Sequence, residues 1–304
     1  MFEEDDLSKH HNDYLEVDFT TKYQINDIFR KIIGEKPNSI KMIKGYGIKS
    51  LNYEINTLKD KFILKSRSGT QSNYSDLEKE GQIAFLLKKN NIPVSVPIRI
   101  NDKFTFRKYN NNWQIFNYIE GVPLKNEKQF ISVAYWHASL FKVLNKSKTK
   151  YLKPNKIQFK KIIEMIKLYF PDDYIGYEKL ITYSLPLLDE ILNFNSITHS
   201  DLHPKNLILD NEKVLSIIDF EDVKSYPINS SFGFSSYKLG RELIRKNNMS
   251  KLEWIKSLEK WIDCTSSVDN KLSFTIPKLG LGCIYRVLDN LGYAIEHLQY
   301  RDNL

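Results

Sequence analysis

His199-Ser200-Asp201-Leu202-His203-Pro204-Lys205-Asn206, followed by two short apolar runs and then Ile218-Asp219-Phe220-Glu221, is the stretch that decides the fold. The apolar runs cover residues 207–209 and 214–218, and a polar turn joins them, so the pattern predicts a β-hairpin. Because a hairpin brings its two ends together, we expect Asp201, Asn206 and Asp219 to converge.

The chemistry of these three side chains indicates metal-assisted phosphoryl transfer. Two carboxylates and an amide oxygen are hard ligands that suit Mg²⁺, which also keeps phosphate oxygens and waters. Phosphoryl transfer needs a metal to neutralise developing charge and a carboxylate to orient the acceptor hydroxyl. A loop of the form H-x-D-x-x-x-x-N, with a further Asp after a hairpin, supplies both parts.

The same stretch resembles the aminoglycoside phosphotransferase and choline kinase family, relatives of the protein kinases, which carry H-G-D-x-H-x-x-N and then I-D-[FW]-[ED]. The resemblance implies that Asp201 is the catalytic base and that Asn206 and Asp219 hold Mg²⁺. It places His203 with the catalytic residues, where protein kinases have a lysine. We expect His199 to brace the loop through hydrogen bonds rather than to take part in the chemistry.

The resemblance also implies an ATP-binding pair, a lysine on a strand and a glutamate on the next helix. Lys65 ends the apolar run 62–64 and fits the lysine. The following helix is predicted to begin at Ser75, because Ser75 and Glu78 form an S-x-x-E capping box. Glu78 then already has a role, so Glu80 is assigned as the partner of Lys65. The alternative is that Lys65 and Glu80 are two unrelated surface charges.

Other nucleotide contacts are predicted around the same segment. The turn 45–47, with Ser50 and Asn52 beyond it, is expected to lie over the phosphates of ATP, although a plain hairpin turn explains it equally well. Residues 116–121 resemble the connection between the two lobes in the family. Backbone groups there would bind adenine, so Phe116 and Tyr118 are assigned to the cofactor site.

The order of predicted elements indicates an α+β, bilobal, protein-kinase-like fold. Residues 1–120 are expected to form a nucleotide-binding lobe, with a small antiparallel sheet and one main helix. Its first ~20 residues are polar and are expected to be partly flexible. Beyond the lobe boundary at Gly121, residues 121–304 are expected to form a larger, mainly helical lobe that carries the catalytic stretch and the acceptor site.

The sequence leaves the acceptor open among amino sugars, amino alcohols, sugars and similar hydroxylated metabolites. Arg286, Asp289, Tyr293 and Glu296 are spaced three or four apart, so they share a helical face if this segment is a helix. Carboxylates there suit an amine-bearing acceptor, and an ordinary solvated helix is the alternative.

Many family members carry a further Asp about ten to twenty residues after the second motif, which braces the catalytic loop. Residues 226–232 contain none, which argues against the drug-resistance branch.

Composition excludes several other classes of protein. The net charge is +8, but the basic residues are scattered in short runs with no recognition motif, so nucleic-acid binding is not expected. The acidic, polar start and the lack of an apolar run of ~20 residues predict a cytoplasmic protein without a membrane span. Cys264 and Cys283 lack metal-ligand spacing and are predicted to be reduced core thiols. His137 is predicted to be a core histidine.

The predicted activity is therefore ATP- and Mg²⁺-dependent transfer of a phosphoryl group to a small-molecule hydroxyl. The alternative is a kinase-like nucleotide-binding protein that has lost catalysis and acts through partners. The sequence does not indicate an oligomeric state.

Overall fold

The computed structural model describes residues 14–43, 50–147, 164, 167–168, 175–176, 178–179, 182–183 and 195–301. The chain divides into two compact units. Unit 1 comprises Met1–Pro123, Ile208–Asp210 and Leu215–Glu221, and unit 2 comprises Leu124–Leu207, Asn211–Val214 and Asp222–Leu304. The predicted turn at 45–47 lies outside the described residues.

Unit 1 contains an antiparallel sheet of six strands in the order β1-β2-β3-β4-β6-β5. Its elements are β1 (Tyr14–Leu15), α1 (Phe19–Ile32), β2 (Ser39–Ile43), β3 (Leu51–Asn56), β4 (Lys61–Ser68), α2 (Gln71–Lys89), β5 (Phe106–Lys108) and β6 (Asn111–Asn117). Helix α1 buries Ile25, Ile28 and Phe29 against the sheet, which is the face that its apolar spacing predicts. Residues 14–15 form β1 and residues 19–20 begin α1, and the partial flexibility expected of the first ~20 residues stays a prediction.

Helix α2 begins four residues earlier than predicted. Its N-cap is Thr70, whose hydroxyl accepts a hydrogen bond from the Asn73 amide, so the capping box at Ser75 is wrong. The Glu78 carboxylate instead accepts from the backbone N–H groups of Phe104 and Thr105, both at 2.9 Å. These N–H groups need an acceptor, and that tertiary requirement overrides the local capping pattern.

The remaining elements are α3 (Glu127–Lys146), β7 (Asn195–His199), β8 (Leu207–Leu209), β9 (Val214–Ile217), β10 (Val223–Pro227), α4 (Ile228–Asn247), α5 (Lys251–Val268) and α6 (Ile276–Arg301). Strands β8 and β9 form a two-stranded sheet, which confirms the predicted hairpin. The predicted α+β class, with a small antiparallel sheet and a mainly helical remainder, is confirmed.

Strand β10 was not predicted, and it pairs antiparallel with β7 in unit 2. The register places Val223 opposite His199. Helices α4 and α6 approach closely through two glycines. A Cβ at Gly233 would lie 2.1 Å from the Leu279 carbonyl oxygen, and one at Gly282 would lie 2.0 Å from that of Asn229. Larger residues at these positions would push the two helices apart.

Two further predictions concern the two cysteines and the helices that could span a membrane. Cys264 and Cys283 form no disulfide, and both are half-buried, whereas full burial in the core was expected. None of the helices in the described ranges combines the length and apolar character needed to cross a bilayer.

Candidate active site

A buried lysine in unit 1 lies between two carboxylates. Lys65, on β4, places its Nζ atom 2.9 Å from Glu80 Oε2 on α2 and 3.1 Å from Asp219 Oδ1. Burial opposes the charge on Lys65, but the Glu80 and Asp219 carboxylates outweigh it and raise the pKa of Lys65. The structure thus brings together three of the predicted site residues from distant parts of the chain.

Asp219 has an unusual backbone conformation, with φ at 63°. Few residues other than glycine adopt this left-handed region, although Asp tolerates it better than most. The conformation follows β9 and precedes a short 3-10 helix, Phe220–Asp222. The Asp219 side chain is nearly half exposed, at 45%, so its carboxylate is open to a ligand as well as to Lys65.

Arg67 is a member of this cluster that the sequence analysis missed. Its side chain is 2% exposed, and its two terminal nitrogens contact Glu80 Oε1 at 2.8 Å and Glu221 Oε2 at 2.5 Å. Its Nε donates to the Ser50 hydroxyl at 2.7 Å. Its position in the sequence could have identified it, because residues two apart on a strand face the same side and Arg67 therefore shares the face of Lys65.

Besides Lys65 and Glu80, four further residues of unit 1 are predicted to bind the nucleotide, and the structure locates each of them. Ser50 accepts from Arg67, and Asn52 lies on β3 directly opposite Lys65. Phe116 is half-buried on β6. The Tyr118 amide donates to the Lys61 carbonyl at 2.9 Å. Their nucleotide-binding roles stay predictions.

In unit 2, Asp201 lies close to two cationic or ionisable side chains. His203 Nε2 is 3.4 Å from Asp201 Oδ2, and Arg286 Nη2 is 3.6 Å from Asp201 Oδ1. Burial alone would raise the pKa of Asp201, but the hydrogen bond from His203 and the Arg286 charge lower it below its ordinary value. His203 Nδ1 accepts from the Lys205 amide at 3.2 Å, so a neutral ring carries its proton on Nε2, facing Asp201.

Asn206 is held by the same loop. Its side-chain nitrogen donates to the Asp201 carbonyl at 2.9 Å, which leaves the amide oxygen as the group that can bind a cation. Asn206 oxygen and the Asp219 carboxylate are the hard donors that Mg²⁺ prefers, so the donor set fits this metal. Across the described ranges, no three His, Cys, Asp or Glu side chains cluster as metal ligands. The convergence of Asn206 with Asp219 stays a prediction.

Hydroxyl groups hold the loop that carries the predicted catalytic residue Asp201. Ser231, on α4, donates to the His199 carbonyl at 2.9 Å. The backbone amide and the hydroxyl of Ser200 both donate to the Asp222 carbonyl, at 3.1 and 3.0 Å. His199 itself is buried, and its Nδ1 accepts from the Asp201 amide at 3.4 Å. Ser231 thus supports the loop in a segment that contains no Asp.

His137 is a core residue, as predicted. Its ring is fully buried and stacks on Phe232 with the centroids 3.9 Å apart. Burial lowers the pKa of His137 to about 3. The imidazole is therefore neutral at physiological pH and belongs to the packing of α3 against α4.

Arg286 on α6 is also buried, so the alternative of an ordinary solvated helix is wrong at this position. Its Nη1 is 3.3 Å from Asp289 Oδ2, which also accepts from the Tyr226 hydroxyl at 2.6 Å. The three-residue spacing of Arg286 and Asp289 predicts that they share a helical face, but nothing in the sequence indicates the contact between Arg286 and Asp201. The side chains of Tyr293 and Glu296 lie outside the described residues.

Part of the chain matches a phosphotransferase family model, and its fold is similar to that of solved small-molecule kinases. Residues 164–230 match the model described as the phosphotransferase enzyme family. No curated protein matches the sequence. Among solved structures, amicoumacin kinase in complex with AMP-PNP, Ca²⁺ and Ami is similar with a TM-score of 0.64 at 14% identity, over 91% of this chain and 95% of that one.

Two further structures show the same fold. Spectinomycin phosphotransferase in complex with ADP and spectinomycin has a TM-score of 0.57 at 12% identity, over 90% of this chain and 98% of that one. Choline kinase from Streptococcus pneumoniae has a TM-score of 0.57 at 15% identity, over 93% and 92%. At these identities the likeness shows the fold alone. The resemblance seen in residues 199–221 is confirmed to this extent: residues 164–230 match the phosphotransferase family model, and the chain has the kinase-like fold of these solved structures.

Proposed function

We propose that this protein is a phosphotransferase that moves the γ-phosphoryl group of ATP, with Mg²⁺, to a hydroxyl of a small molecule. The observation that carries the proposal is the position of Lys65 Nζ between Glu80 and Asp219. The family match over the catalytic stretch supports it. In this proposal residues 1–120 bind the nucleotide, and residues 121–304 carry the catalytic loop and bind the acceptor.

Each residue of the nucleotide end has a defined task. Lys65 binds phosphate oxygens of ATP, and Glu80 keeps it charged and oriented. Asn206 and Asp219 hold Mg²⁺, which supplies positive charge that neutralises the phosphates. Ser50, Asn52 and the backbone around 116–118 complete the nucleotide site.

At the acceptor end, Asp201 is the general base. Its lowered pKa keeps the carboxylate ionised at neutral pH, so it can accept a hydrogen bond from the acceptor hydroxyl. It takes that proton as the acceptor oxygen bonds to the γ-phosphorus and the bond to ADP breaks. His203 donates to the carboxylate and holds it in place. The acceptor class on family grounds is an amino sugar, amino alcohol, sugar or similar metabolite.

Ligand-dependent thermal stability tests the nucleotide part. ATP with Mg²⁺ at about 100 times its Kd should raise the free energy of unfolding by about 2.7 kcal/mol. Asp219→Asn should lose most of this gain. Asp263→Asn, on an exposed position of α5, is the matched control and should keep it. A wild-type protein that ATP and Mg²⁺ fail to stabilise would refute the proposal.

Turnover separates catalysis from nucleotide binding alone. ATP consumption is measured over a panel of hydroxylated acceptors with wild type and Asp201→Asn. A phosphotransferase should lose activity by a factor of about 10² or more when its base is removed. Slow turnover that Asp201→Asn leaves unchanged would favour the alternative of a catalytically silent, nucleotide-binding protein.

A further inference from the structure

Two cations in unit 2 lie against a single aromatic ring beside Asp201. Phe234, on α4, is buried. The Lys238 Nζ atom lies 5.1 Å from its ring centroid, and the Arg286 guanidinium carbon lies 5.6 Å from it. Because Arg286 also contacts Asp201, Lys238 belongs to the immediate surroundings of the proposed catalytic base.

Lys238 has no carboxylate partner within salt-bridge distance among the described residues. It is half-buried, and Arg241 follows it by one helical turn on the same face of α4. Burial and the Arg241 charge lower the pKa of Lys238 and outweigh the opposing effect of the Asp201 carboxylate. A half-buried ammonium group with no carboxylate beside it in the described ranges is able to bind an anion, which favours that role for Lys238. Among the residues that the structure describes, the buried Arg286 Nε likewise has no hydrogen-bond partner.

The neighbouring carboxylates already have partners. Asp289 accepts from Tyr226 and contacts Arg286, and Asp222 lies 3.3 Å from Lys224 Nζ. Within the described part of unit 2, Lys238 and Arg241 therefore have no carboxylate at ion-pair distance, and Asp201 is the nearby carboxylate that acts on Lys238 electrostatically. This arrangement is opposite to the acidic surroundings that a polycationic acceptor requires.

We propose that Lys238 and Arg241, beside Arg286, bind an anionic group of the acceptor, so that the acceptor is a hydroxylated carboxylate or phosphate monoester and not a polycationic amino sugar. The proposal rests on the proposed function, because it names the substrate class of the same site. It narrows the acceptor class that family resemblance leaves open.

Binding of matched ligands tests the proposal. Glycerol, glycerate and glycerol 3-phosphate share hydroxyl groups but differ in charge, and kanamycin serves as the polycation. Each is titrated by calorimetry into protein saturated with AMP-PNP and Mg²⁺, so that the nucleotide phosphates already fill their own site. Glycerate or glycerol 3-phosphate should bind at least about tenfold more tightly than glycerol, because one charge-assisted hydrogen bond changes the affinity by about that factor. The same ligand should also bind more tightly than kanamycin. The stronger of the two anions identifies carboxylate or phosphate as the recognised group.

Charge reversal provides the decisive variant. Lys238→Glu should abolish the preference for the anion and should strengthen kanamycin binding, whereas Lys238→Met should abolish the preference only. Lys256→Glu, at an exposed position of α5, makes the same change in net charge and should keep the wild-type preference.

Three results would overturn the proposal: no preference for either anion in the wild type, an unchanged preference in a folded Lys238→Glu protein, or a change in AMP-PNP affinity with no change in acceptor affinity. Failure of AMP-PNP itself to bind would instead count against the proposed function, so the two failures are distinguishable.

Discussion

Replacing Arg67 by methionine should destabilise unit 1 far more than removing an exposed ion pair of the same unit. Arg67 is almost fully buried and joins Glu80, Glu221 and Ser50 through its guanidinium group. Removing one partner of a buried ion pair typically costs about 3–5 kcal/mol, because the other charge stays buried. Since Lys65 still holds the second oxygen of Glu80, we expect the lower end, about 3 kcal/mol.

The control is Lys59→Met. Lys59 Nζ lies 3.8 Å from Glu35, and the lysine side chain is 77% exposed, so its loss should cost about 1 kcal/mol or less. Arg67→Lys keeps the charge but loses the paired contacts of the guanidinium group, so its stability should fall between that of the wild type and that of Arg67→Met.

Urea unfolding at pH 7 measures these differences as shifts of the midpoint at constant slope. If Arg67→Met and Lys59→Met destabilise the protein equally, Arg67 does not hold the two carboxylates in the way the structure indicates.

Three further predictions concern the remaining framework. His137→Leu should remove a loss of stability that the wild type shows in acid. Below pH 6.5 the unfolded chain binds a proton at His137, whereas the folded protein, in which the pKa of His137 is about 3, does not. The free energy of unfolding of the wild type should therefore fall by about 2 kcal/mol by pH 5, and that of the variant should not. Thr70→Ala should cost about 1 kcal/mol in urea unfolding while Ser75→Ala costs little, and the reverse order would restore the capping box at Ser75. Ser231→Ala should cost about 1–3 kcal/mol, because the His199 carbonyl loses a buried donor, and an unchanged midpoint would show that Ser231 is not the brace.

The local alternation of apolar runs and a polar turn was enough to predict the hairpin after Asn206. The hairpin formed by β8 and β9 follows from two apolar runs and a polar turn, which lie next to each other in sequence. The contact between Lys65 and Glu80 was predicted through the resemblance, since nothing in either segment alone identifies its partner. The contact of Lys65 with Asp219 joins residues 154 positions apart and was not predicted, since no local pattern connects them.

Tertiary contacts account for what the sequence analysis missed. Glu78 satisfies a capping pattern, yet its carboxylate binds backbone amides 26 and 27 residues further along the chain. Strand β10 has a lysine, a serine and a proline among five residues, so its pairing with β7 gave no clear apolar signal. Arg286 lies 85 positions after Asp201, and no local rule connects two such residues.

The pairing of β7 with β10 has a consequence for how the catalytic stretch moves. His199 lies opposite Val223, so this strand pair closes a loop that contains Asp201, Asn206 and Asp219. Opening the pair would free both ends of this loop, which carries the predicted site residues Asp201 and Asn206, while opening the hairpin alone would leave those ends fixed. Asp219 would still be held by its contact with Lys65. Amide hydrogen exchange should therefore protect β7 and β10 with one common opening free energy, and the capacity for catalysis should disappear together with that protection.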